Sequence, residues 1–291
     1  MPTPSLLMIP SAFKSGVLAS VLPSDGTGDF TVSRPSIATR INAEGLIETV
    51  AVNVPRIDYS NTGCPVLLIE EQSTNEMFNS EFFDSVTWIQ SLCLLTSIEV
   101  TNPIKNKTNA YSFNEGNSSG RHRVLSNLID ITQGEDYTLS FVIKKQDDDW
   151  VQFILQTPEF SVNSWANFNL SNGTVGSSGT DAITKIKNLG GGWYNCSITS
   201  TAIQSGQTYP FLMSINNADM GRYPSYIGTG RDCFYVLLGQ LEDLSHPTSY
   251  IKTEGTSVTR LADVITVTPP AGVTEIIETI DGVEQSPITT I

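Results

Sequence analysis

Positive charge is scarce in this chain. Its 291 residues carry 16 Lys and Arg against 30 Asp and Glu, a formal net charge of −14 with a pI near 4.4. Binding to nucleic acid needs clustered cations to displace counterions from phosphate, so that class of partner is excluded. An anionic membrane surface is an equally poor partner, while the same charge keeps a sticky β-rich chain soluble. Histidine is limited to His122 and His246. His122 lies between Arg121 and Arg123 in a Gly/Ser loop and His246 precedes Pro247; neither adjoins a Ser or Cys in a nucleophile-like turn. Four cysteines, Cys64, Cys93, Cys196 and Cys233, are far apart and lack CxxC or Cys/His spacing. A metal cluster is therefore not expected; reduced core thiols are, with a disulfide pair left open.

Long apolar runs are missing too. No stretch approaches the ~20 residues of a membrane-spanning helix. The opening "MPTPSLLMIPSAFKSG" has prolines in its apolar piece and no basic region before it, so it does not read as a signal peptide. Helical periodicity is nearly absent. The one candidate is "TNEMFNSEFFDSVTWIQ", where Met77, Phe78, Phe82 and either Phe83 or Val86 fit a short helix.

Hydroxyl, amide and alternating apolar residues fill the space. "DYTLSFVIKK" sets Tyr137, Leu139, Phe141 and Ile143 on one face, with Val142 between Ser140 and Lys144 on the other. "DDDWVQFILQT" alternates Val151, Phe153 and Leu155 against Trp150, Gln152, Ile154 and Gln156. "SWANFNLSNGT" alternates Ala166, Phe168 and Leu170 against Trp165, Asn167 and Asn169, then turns at Asn172-Gly173. "GGGWYNCSITS" opposes Tyr194, Cys196 and Ile198 to Trp193, Asn195, Ser197 and Thr199, and "DCFYVLLGQLE" is apolar on both faces, as in a strand buried mid-sandwich. Period-two segments separated by turns predict an all-β sandwich of two antiparallel sheets.

Residues 1–72 hold short extended pieces among Pro and Gly: an N-terminal arm or assembly element. "GLIETVAVNV" within them reads as a strand with Val50, Val52 and Val54 on one buried side. Residues 73–264 form the sandwich. Residues 265–291 read as a small C-terminal β-appendage, or the start of a further domain, with a hairpin signal at Asp281-Gly282.

The ordered set "SFVIKK…W", "WANFNLSNGTVGSSGT", "GGGWYNCSIT", "YIGTG…FYVLLGQLE" and "PTSYIKTEGTSVTRLADV" resembles the concanavalin-like, carbohydrate-binding-module-type jelly roll of bacteriophage virion proteins: head fibres, spikes and tail appendages. "GDFTVSRPSIATRINAEGLIETV", "NVPRIDY" and "CPVLLIEEQSTN" resemble the leader before that jelly roll, so the likeness covers residues 26–264, with Glu71 standing where the pattern has Pro. The resemblance implies an antiparallel jelly-roll sandwich with an extended β-rich N-terminal arm. It implies a homo-oligomer, trimeric as in phage fibres, located in the virion, made in the host cytoplasm and attached to other capsid or tail proteins. From charge and residue pattern, neither a membrane partner, a cofactor nor an enzymatic activity is expected.

A glycan contact on such a fold needs an aromatic face for the apolar side of a pyranose and amides for its hydroxyls. Trp165 with Asn167 and Asn169, beside Trp150 with Gln152, supplies that combination. The same tryptophans would equally pack under loops or at a subunit interface. The ligands in question are host-surface or mucus glycans. Trp193 and Tyr194 are expected to be structural. Asp147, Asp148 and Asp149 offer carboxylates to a hard cation such as Ca²⁺, with Glu242 or Asp263 as a further ligand, or form a solvated turn. No EF-hand spacing supports a metal. A glycan hydrolase needs two carboxylates across the scissile bond, and no strand presents an alternating acidic array. "HPTSYIKTEGTSVTRLADV" reads as the closing segment: Pro247 sets the turn, Tyr250 and Ile251 fold back onto the sandwich, and Arg260 with Asp263 latches the exit.

Overall fold

The computed structural model describes residues 7–14, 16–22, 24–60, 65–81, 83, 86–268, 279–280 and 283–284. These residues are all-β, and the strands of the two six-stranded sheets pair antiparallel. They divide into two compact units. One spans residues 44–48 and 72–260; the other combines residues 1–43, 49–71 and 261–291.

The larger unit is built from twelve principal strands: β1 (Ile89–Ser91), β2 (Leu94–Glu99), β3 (Asn109–Asn114), β4 (Arg123–Leu125), β5 (Asp136–Lys145), β6 (Trp150–Ile154), β7 (Trp165–Asn169), β8 (Thr174–Ser178), β9 (Ile183–Gly190), β10 (Trp193–Thr201), β11 (Phe211–Ser214) and β12 (Asp232–Glu242). They form two six-stranded sheets, ordered β2-β3-β12-β5-β10-β9 and β8-β7-β6-β11-β4-β1. The inner faces meet in one core. Leu139, Phe141, Ile143, Cys196, Ile198, Phe234 and Val236 come from the first sheet, and Val124, Val151, Phe153, Ala166, Phe168 and Leu212 from the second. Phe141 meets Phe153 edge-on across the interface at 5.2 Å, and Phe153 lies 5.0 Å from Phe168. Each such ring removed from water contributes about 1.5–3 kcal/mol. The faces assigned from alternation are the faces observed, and β12 is buried along nearly its whole length, in the middle of its sheet.

β12 contains the sharpest backbone feature. Its register against β5 slips between Ser140 and Val142, and Leu238 takes a φ of 51° inside the resulting bulge. Gly239 follows, and a Cβ there would come within 2.8 Å of the Phe141 ring and 3.1 Å of Trp88. Only glycine lets the bulge approach that aromatic layer.

The helix expected over residues 74–90 does not form; the described residues there make turns and short strand pieces. Its backbone donors go to side chains instead: Met77 N–H donates to Asn75 Oδ1, Phe78 N–H to Asn127 Oδ1 and Ser80 N–H to Thr253 Oγ1. Asn79 sits at a φ of 53°, which no helix continues through. Met77, Phe83 and Trp88 are still core residues, whereas Val86 is fully exposed; Phe82 lies outside the described residues. The closing segment does fold back. Tyr250 Oη lies 2.6 Å from Ser80 Oγ, and Ile251 N–H donates to Gln240 Oε1 on β12 at 2.7 Å.

In the smaller unit, Leu7–Lys14 pairs with Val17–Leu22, which pairs with Phe30–Ser33, which pairs with Val264–Val267. The C-terminal segment thus shares a sheet with the N-terminal one. Leu18, Val32 and Ile57 form its core, with Phe30, Leu67 and Ile265 against them. The strand predicted over "GLIETVAVNV" ends at Val50: Val52 is exposed and Asn53 turns at a φ of 56°. Asn53 Oδ1 accepts from Arg34 N–H there, so the alternation ends where the chain bends to meet it. Asp263 is paired with Arg34 at 2.8 Å and with Arg56, and it accepts from the Glu70 N–H. The partners of Asp263 shown by this geometry are therefore Arg34 and Arg56, where the sequence had suggested Arg260. Burial pushes its carboxyl up, but the two guanidiniums win and hold it below the ordinary range. Thr279–Ile280 pairs with Val283–Glu284; Asp281 and Gly282, the proposed hairpin turn, lie outside the described residues.

Candidate functional site

The outer face of β6 and β7 brings the five proposed contact residues together. Register pairs Trp150 with Asn169, Gln152 with Asn167, and Ile154 with Trp165, so all six side chains share one face. Their chemistry there is unequal. Gln152 and Asn167 have no exposure to solvent. Gln152 Nε2 donates to Asn167 Oδ1 (2.7 Å) and Gly221 O (3.1 Å), and its Oε1 accepts from Tyr223 N–H (2.7 Å). Asn167 Nδ2 donates to Ala218 O (2.9 Å) and Met220 O (2.8 Å). Both amides are spent holding the 216–223 loop over the strands. Asn169 Oδ1 accepts from Ser171 and Asn172 N–H and shapes the β7–β8 turn.

Trp150 and Trp165 remain half-buried. They pack with Tyr209, Met220 and Tyr223 around Ile154, Phe211 and Met213. Trp150 lies against Gly176, where a Cβ would fall 2.6 Å from the indole. Tyr223, at a φ of 58°, is flanked by cations: Arg121 Cζ stands 4.0 Å and Arg123 Cζ 4.9 Å from its ring centroid. Arg121 Nε donates to Tyr223 O. Sequence reading missed this trio as a site; the signal was an Arg-His-Arg run in a chain short of cations. Trp193 is structural as expected, buried with its Nε1 donating to Thr101 O.

A second polar cluster lies inside the same unit. Glu115, Asp148 and Cys233 bring their ligand atoms within 4.8 Å of one another, all buried. Arg231 fills the position a cation would take, with Nε 3.2 Å from Glu115 and Nη2 2.8 Å from Asp148. Burial pushes the Glu115 carboxyl up, but hydrogen bonds from Thr229 and Tyr226, with the Arg231 charge, hold it below the ordinary range. At Asp148 burial prevails and the carboxyl is raised, and burial likewise raises the Cys233 thiol. This is an arginine-neutralised cluster, with the sulfur held as thiol rather than the thiolate a metal takes. The three acids of the 147–149 turn do not converge. Asp147 is exposed, Asp148 turns inward and Asp149 pairs with Lys145. Glu242, suggested as a further Ca²⁺ ligand, is taken up by Ser73 and Thr248, and Asp263 by its two arginines.

His122 is fully buried, with Nδ1 2.7 Å from Leu92 O and its ring 4.7 Å from Tyr226. Cys196 and Cys233 are buried free thiols and Cys93 a partly buried one; burial pushes the Cys93 thiol up to about 12. Cys64 lies outside the described residues. No described helix is long and apolar enough to cross a membrane.

No protein-family model matches the chain, and no curated protein is significantly similar to it.

Proposed function

We propose that the chain is a structural component of a bacteriophage virion, a head fibre, spike or decoration protein. In this reading the sandwich is a jelly roll that projects and contacts host-surface or mucus glycans. The N-terminal strands anchor it to other virion proteins by β-pairing, and copies associate, as trimers by analogy with phage fibres. The ordered motifs from residues 26 to 264 support the family, and the all-β antiparallel sandwich agrees with them. One observation carries the binding half: Trp150, Trp165, Tyr209 and Tyr223 are left half-covered together on the outer face of one sheet. Aromatic rings grouped in that way are suited to stacking against pyranose rings. Repetition of weak sites in an oligomer then gives useful avidity. A tail-associated adhesin would use the same face. The buried setting of His122 and the neutralised carboxylates of Glu115 and Asp263 favour binding over hydrolysis.

Two experiments test this. Mass spectrometry of purified phage particles should find the chain at stoichiometric copy number; its absence from particles removes the structural role. A multivalent display of the full chain on a glycan array should give signal that Trp165→Ala abolishes while the sandwich still unfolds cooperatively, at a lowered Tm. No signal at high valency ends the adhesin half.

A further inference from the structure

The chain has 30 acids to 16 cations, so carboxylates are available to pair with its cations. Arg34, Arg56, Lys105, Lys107, Lys145, Arg231 and Lys252 all pair with one. Arg121 and Arg123 pair with none among the described residues. Instead they share one aromatic ring, and Arg123 also lies 5.4 Å from Phe211. The Arg123 Nε–H is buried with no acceptor, as is that of Arg222 next to Tyr223. Burial first, and the Arg121 charge second, disfavour the charged form of Arg123. Two adjacent guanidiniums, one partly desolvated with an unused donor, form half of a charge-assisted contact whose other half is an oxyanion. Tyr223 belongs to the same apolar cluster as Trp150 and Trp165. An oxyanion bound there would sit at the margin of that aromatic cluster.

We propose that this face takes an anionic saccharide, its carboxylate, sulfate or phosphate held between Arg121 and Arg123 while its rings lie on the tryptophans. The proposal rests on the reading of this face as a glycan contact and narrows the ligand class.

Calorimetry with the full chain separates the two. The probes are an oligogalacturonate, its neutral methyl ester, a heparin-derived oligosaccharide and inorganic sulfate. The acidic oligomers are expected to bind about tenfold or more tighter than the ester. The advantage should shrink as salt rises from about 50 to 300 mM, because exposed charge is screened over that range. Arg121→Gln with Arg123→Gln should bring acid and ester to equal affinity in a chain that still unfolds cooperatively, and Arg123→Lys should restore part of the difference. Equal binding of acid and ester by the unaltered chain overturns the anion assignment and leaves the glycan reading standing. An acid preference that survives both Gln substitutions puts the anion elsewhere and also overturns it. Sulfate binding as tightly as the oligomers removes the saccharide. No binding of any oligomer fails both.

Discussion

Asn167 is the residue on which scaffold and ligand roles can be separated. If its amide holds the 216–223 loop, Asn167→Ala deletes three buried hydrogen bonds at once, those with Gln152 Nε2, Ala218 O and Met220 O. Net contributions of about 1 kcal/mol each give a loss of about 3 kcal/mol, more if the two carbonyls stay dry. All four tryptophans, Trp88, Trp150, Trp165 and Trp193, lie within residues 72–260, so their fluorescence reports the larger unit alone. With a urea slope of about 2–3 kcal/mol/M, the midpoint should fall by about 1 M or more at unchanged slope. Native emission should shift to the red as Met220 and Tyr223 lift away from Trp150 and Trp165. A cycle with Gln152→Ala should return a coupling of about 1 kcal/mol, since the two amides share a bond. A loss under about 0.5 kcal/mol with unchanged emission would refute the reasoning. The loop would then be held by other contacts, and the amide would be free for a ligand.

The remaining predictions concern charge. Asp263→Asn leaves Arg34 buried without its carboxylate and Arg56 with Glu70 as its acidic partner, at a cost of about 3–5 kcal/mol. Hydrogen exchange at residues 30–33 and 264–267 should quicken while the tryptophan-detected transition stays put; unchanged exchange would count against the ion pairs. Acidification should act in two stages. Burial raises the Glu242 and Asp148 carboxyls, so the folded state holds their protons more tightly and gains stability as pH falls through the raised folded values toward the unfolded ones. Asp263 and Glu115 are lowered, so their contribution is present above the unfolded values of about 3.9 and 4.3 and is lost as pH falls through the lower folded ones. Thermal midpoints should therefore rise as pH falls through the raised folded values of Glu242 and Asp148 and drop again below the unfolded values of Asp263 and Glu115, about 3.9 and 4.3. A decline that begins above those unfolded values and never reverses would be the wrong sign.

Alternation made the sandwich legible. Val151, Phe153 and Leu155 face inward, and Trp150, Gln152 and Ile154 outward, because period-two polarity records which side meets water. The same logic failed at Val52, where Asn53 turns the backbone and ends the alternation. The apolar spacing after Asn75 resembled a helix because turns can also gather Met77 and Phe83 onto a core. The roles of the amides were not legible. Gln152 and Asn167 look like sugar ligands until a loop some 50–70 positions away is found folded over them. Asp263 gave no hint of partners 229 and 207 positions back, since nothing local distinguishes a latch from a solvated acid.

The pairing of Phe30–Ser33 with Val264–Val267 has a mechanical consequence. The strands are antiparallel with Phe30 opposite Val267, so tension applied upstream of Phe30 and downstream of Val267 pulls at the same end of the ladder. It opens rungs one at a time, from Phe30–Val267 toward Ser33–Val264, rather than shearing them together. Residues 72–260 lie between these strands in sequence and feel no pull until the last rung and the Asp263 ion pairs give way. Pulled in that geometry, the ladder would open as a zipper, before tension reaches residues 72–260.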